Sequence, residues 1–135
     1  MTLENLYTIA DNNEIEIMNI NCQNSKSISI MTETNNCYIG IDKNVISEQD
    51  KKFMLAHELG HCQTGAFYNR YSKLNVIDKL EHKADKWAIK KLLPVDKLKE
   101  AIKDGYTEKW QLAEYFELTE DLIKKAFWIY FDKEI

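Results

Sequence analysis

The chain has 135 residues, 44% of them hydrophobic, enough for one domain with a buried core and too few for several. Its 22 acidic and 18 basic residues leave a formal charge of −4, which argues against nucleic acid or an anionic membrane as the main partner. Three cysteines (Cys22, Cys37 and Cys62) with no CxxC pair argue against a disulfide framework, and no apolar run approaches a membrane span in length.

The opening, MTLENLYTIADNNE, has neither the basic start nor the long apolar run of a signal peptide, so a cytoplasmic protein is expected. Within it, TLENLYTIADNN predicts a short helix capped by Thr2, with Leu3, Leu6, Tyr7 and Ala10 along one side. Three alternating runs follow. Ile15, Ile17 and Ile20 are expected to point inward in EIEIMNINC, Ile28 and Ile30 in KSISIMTET, and Cys37, Ile39 and Ile41 in NNCYIGID. Turn-prone Asn, Ser and Lys residues separate them, which predicts a three-stranded antiparallel meander.

A helix then begins at SEQD, with Ser47 as N-cap and the acidic Asp50 at N3, close to a capping box. It carries FMLAHELGHCQ. A helix of 3.6 residues per turn brings His57 and His61 onto one face, with Glu58 about 100° round from His57. Two imidazoles so placed can share one metal ion, and the glutamate beside them can act as general base on a water. Gly60 in mid-helix costs about 1 kcal/mol relative to alanine, which calls for a close backbone neighbour or room around a metal. Cys62 reads as a small buried hydrophobe. In GAFYNRYSK, Tyr68 and Tyr71 are the candidates in this part of the sequence for a lid or an oxyanion donor.

A second helix is predicted over about 76–93, ending before Pro94, the one proline in the chain. A catalytic zinc site takes three protein ligands and leaves one position open, so the third ligand is sought here. Glu81 and Asp85 stand four apart on one face. Glu81 is the preferred ligand, with Asp85 as the carboxylate that orients a ligand histidine. His82 is the competing ligand, about 100° away from Glu81, so only one of the two can point inward. Ala84, Trp87, Ala88 and Leu92 form the core stripe.

The tail, residues 95–135, reads as an amphipathic helix closed by Gly105 and then two short helices with Thr107 and Thr119 as N-caps. LAEYFELTEDLIKKAF has the hydrophobic pattern of a helix-turn-helix. Ten acidic against seven basic residues from Val95 onward oppose a DNA-binding role, so support or protein docking is expected.

HELGH, followed about 20 residues later by EHKADKWAIKKLLP, resembles the ImmA/IrrE family of zinc peptidases of phages and mobile elements. The resemblance covers most of the chain, and Glu81 and Asp85 match the family's E-x-x-x-D pair. It implies a minimal zincin-like α+β fold, with a catalytic unit over 1–94, a helical subdomain over 95–135, and Zn2+ as cofactor. It also implies limited cleavage of a basic DNA-binding repressor. The alternatives are a catalytically weak or inactive zincin-fold protein that binds a regulator, and a DNA-binding regulator working through the tail.

Overall fold

A computed structural model describes residues 1–22 and 25–135. Its elements are α1 (Leu3–Asn12), β1 (Glu16–Ile20), β2 (Ser27–Met31), β3 (Cys37–Asp42), α2 (Glu48–Thr64), α3 (Leu74–Leu92), α4 (Val95–Lys103), α5 (Lys109–Phe116) and α6 (Glu120–Phe131). This is the α+β arrangement expected, with six helices and one small sheet among the described residues.

The sheet departs from the expected meander. Its order is β1-β3-β2, with β1 parallel to β3 and β2 antiparallel to it, so the chain crosses over β3's position before filling it. Asn24, one of the turn-prone residues expected between the first two strands, lies outside the described residues. β3 is therefore central, not an edge, and its inward residues Cys37, Ile39 and Ile41 are buried as expected.

Pairing then decides the faces of the outer strands. Ser27 and Ser29 stand opposite Ile41 and Ile39, so the serines share the inner face. Ile28 and Ile30, expected inside, are 42% and 52% exposed on the other face. Ile20 also faces outward, beside Ile28 over Gly40, where a Cβ would lie 2.5 Å from Ile20 Cδ1.

α1 starts at Thr2, whose hydroxyl accepts from the Asn5 N–H at 3.1 Å. α2 starts at Ser47, whose hydroxyl accepts from the Asp50 N–H at 3.3 Å. α2 ends at Gly65, which takes the left-handed conformation at φ +69°. α2 lies against the inner face of the sheet on one side and α3 on the other. At their crossing, a Cβ on Gly60 would lie 2.6 Å from the Ala84 carbonyl oxygen, so the close backbone neighbour expected at Gly60 is α3.

The helices of the tail pack on the same core. One cluster of buried side chains includes Leu6, Ile39, Leu55, Leu59, Ile89, Leu98, Leu112 and Ile123. Polar ties also fasten the tail, among them the buried Lys52 ammonium donating to the Glu117 carbonyl at 2.9 Å and the Tyr130 hydroxyl donating to the Leu93 carbonyl at 2.7 Å. α6 is capped by Thr119 as expected. α5 is capped at Glu108, one residue beyond Thr107, with Gln111 Oε1 accepting from the Thr107 and Glu108 N–H groups.

Cys37 and Cys62 form a disulfide between β3 and α2, with Cα atoms 6.0 Å apart. This corrects the expectation of no disulfide and of Cys62 as a plain hydrophobe. The odd count leaves Cys22 as the free thiol.

Candidate metal centre

α2 and α3 bring the site together. His57 Nε2 and His61 Nε2 stand 3.2 Å apart, as the i, i+4 spacing requires. From α3, Glu81 reaches across with Oε2 2.7 Å from His57 Nε2 and Oε1 3.3 Å from His61 Nε2. One ligand atom from each of the three lies within 4.8 Å of the others. His82, the competing ligand, is exposed and outside this cluster, because it sits a third of a turn away from Glu81.

The remaining nitrogens of both imidazoles are occupied from behind. His57 Nδ1 meets Asp85 Oδ1 at 2.7 Å, and His61 Nδ1 meets the Ala66 carbonyl at 2.5 Å. A carboxylate and a carbonyl can only accept, so each Nδ1 carries the proton and each Nε2 is turned toward Glu81. Asp85 thus stands where the sequence suggested. Ala66 had no sequence signal, because it acts through its backbone.

Without a metal, protons hold the cluster. Burial opposes charge on His57, but hydrogen bonds to Asp85 and Glu81 and the nearby Glu58 outweigh it and push its pKa up to about 10. Burial likewise opposes charge on His61, and Glu81 with the Ala66 carbonyl outweighs it, so its pKa is raised. The hydrogen bonds from His57 and His61, with Tyr68 adding, hold Glu81 far below the usual carboxylate range against the effect of burial. Burial pushes Asp85 up, and the His57 and Lys125 charges override it, leaving it lowered. Two neutralisable imidazoles and one firmly ionised carboxylate are a donor set that fits a divalent cation of zinc's kind.

Glu58 is buried at 6% exposure, and Ser27 of β2 donates to its Oε2 at 2.7 Å. Sequence alone gives Ser27 no role, because a strand with Ile28 and Ile30 inward turns its serines outward. The Tyr68 hydroxyl donates to Glu81 Oε1 at 2.5 Å, and this bond, then burial, pushes its pKa up to about 12. Tyr71 does not join the site: it is 81% exposed, and its hydroxyl accepts from Arg70. A cleft of about 500 Å³ opens over the cluster, with Ser25, Ser27 and Ser29 along one wall and Phe67 and Tyr68 along the other.

No curated protein matches the chain. A family model, Peptidase_M78, described as the IrrE N-terminal-like domain, matches residues 11–127, which contain every residue of the cluster. With that span matched, and with a three-residue cluster able to hold a metal inside it, the chain belongs to the Peptidase_M78 family of metallopeptidase-like proteins.

Proposed function

We propose that the protein is a zinc-dependent endopeptidase that makes limited cuts in a cytoplasmic regulatory protein, a basic DNA-binding repressor. The observation that carries the chemistry is the convergence of His57, His61 and Glu81 with both outer imidazole nitrogens already bonded. Bound there, zinc supplies Lewis acidity, polarising a carbonyl and lowering the pKa of water. Glu58, held by Ser27, accepts the proton of the attacking water and passes it to the departing amine. Tyr68 can turn its hydroxyl from Glu81 toward the oxygen of the attacked carbonyl and stabilise the charge that gathers there.

The substrate lies as an extended strand along the free edge of β2, whose serines wall the cleft. β3 is paired on both sides, so β2 is the strand beside the cleft that offers an unpaired edge. Docking beyond the cleft supplies selectivity. The exposed Glu114, Glu117 and Glu120, with Asp50, line a groove of about 600 Å³ between the start of α2 and the α5–α6 turn. That charge favours a basic protein and disfavours direct DNA contact by the tail.

Glu58→Gln is the test. The variant should retain zinc by metal analysis and lose cleavage of a basic repressor encoded beside this protein. Wild-type protein with zinc bound that cuts no such protein would favour a regulator-binding role without catalysis. Vigorous digestion of casein would favour a degradative peptidase.

A further inference from the structure

The tail reaches the metal cluster through an ion pair. Lys125, in α6, places Nζ 3.5 Å from Asp85 Oδ2, while Asp85 Oδ1 meets His57 Nδ1 at 2.7 Å. Both oxygens of one carboxylate are thereby engaged, one by the ligand histidine and one by the lysine. Lys125 is itself held from three helices. Asp121 Oδ2 lies 3.7 Å from the same Nζ one turn earlier in α6, and the Phe53 ring of α2 lies 5.1 Å from it. A lysine bracketed in this way has little rotamer freedom left to lose when it pairs with Asp85.

We infer that Lys125 is a positioning residue of the metal centre: it pins the Asp85 carboxylate so that His57 keeps Nε2 aimed at Glu81 and His61. The inference rests on the metal-binding reading above. The torsion that turns an aspartate carboxylate is broad, so a carboxylate held by one oxygen alone can swing away from its histidine. A second partner on the other oxygen removes that freedom. Lys125 also carries a positive charge, which taken alone would repel a cation at the cluster. The two effects have opposite signs. If orientation dominates, removing the ammonium weakens metal binding; if repulsion dominates, it tightens binding.

The test is equilibrium zinc binding against a competing chelator, on the full chain, for wild type, Lys125→Met, Lys125→Arg, Asp85→Asn and the Asp85→Asn/Lys125→Met double variant. Lys125→Met should weaken zinc binding about 3- to 10-fold, at or below the low end for groups that support a ligand from behind. The effect stays small because Lys125 is 42% exposed and water replaces part of the contact. Lys125→Arg should restore the affinity, and Lys125→Met should add no further loss once Asp85 is asparagine. Unfolding of Lys125→Met in excess chelator should lose no more than a part-exposed ion pair contributes, separating positioning from a general loss of structure. Unchanged or tighter zinc binding by Lys125→Met, or an equal loss in the Asp85→Asn background, overturns the inference and leaves the metal centre standing. A wild-type chain that takes up no zinc overturns the metal-centre reading and this inference with it.

Discussion

In the metal-free protein His57 stays protonated through neutral pH, its pKa raised from 6.5 to about 10 because Asp85 and Glu81 outweigh the effect of burial. The stability this contributes is complete below the ordinary histidine value and disappears as pH climbs toward about 10. Glu81 is shifted the other way by His57 and His61, so its contribution is present above the ordinary carboxylate value of 4.5 and disappears as pH falls below it. Urea unfolding in excess chelator should therefore show greatest stability between those two ordinary values, with losses on either side. Zinc reverses the demand, since it needs both imidazoles neutral. At pH 7 its binding should expel protons from His57 and His61, seen by calorimetry in two buffers of different ionisation enthalpy, and affinity should rise with pH. Glu81→Ala should weaken zinc strongly, while His82→Ala leaves it unchanged because that side chain is exposed and outside the cluster. Which residues share a helical face was legible at this scale, because period alone puts His57 with His61 and Glu81 with Asp85. Ser27, Ala66 and Lys125 were not legible, since each meets the site only through tertiary approach.

At the scale of elements, the distance between α2 and α3 sets the geometry of the cluster, and Gly60 sets that distance. Alanine would favour the helix by about 1 kcal/mol. Its Cβ would lie 2.6 Å from the Ala84 backbone oxygen, and a backbone atom cannot swing aside. Gly60→Ala should thus destabilise by about 1–3 kcal/mol net in denaturant unfolding, and should weaken zinc by moving Glu81 away from His57. A stabilised variant would mean the helices can part freely. The strands show where sequence reasoning stopped. Alternation marks a strand and its two faces, yet the same alternation serves parallel and antiparallel pairing and does not say which face is inward. Ile28 and Ile30 are expected inside because apolar faces usually are, whereas the pairing of Ser27 with Ile41 turns the serines to the inner face, where Ser27 meets Glu58. The Cys37–Cys62 bond was hidden for a related reason: the two residues belong to separate elements and meet only when β3 packs on α2.

For the molecule as a whole, the tail is continuous with the core that carries the cluster, through Ile123, Ala126 and the Lys52 and Tyr130 ties. Its acidic surface lies on the solvent side of that packing. Glu114→Lys with Glu120→Lys should slow cleavage of a basic partner, and the loss should shrink as salt rises. The screening length falls from about 30 Å at 0.01 M to about 8 Å at 0.15 M ionic strength. An equal loss in kcat/KM at both salt concentrations would point to damage in packing instead. Glu117 is left alone in this design because it takes the left-handed conformation at φ 55° and its carbonyl receives Lys52. The sheet order also carries a kinetic consequence. β2 and β3 are joined by the short turn over 32–36 and can zip together as a hairpin as soon as both exist, a local closure of low entropic cost. β1 has no partner until β3 is in place, although it is made first. As the chain leaves the ribosome, the first strand must wait with its backbone unpaired until residue 42 has emerged, so within the sheet the strand made first is the last to pair.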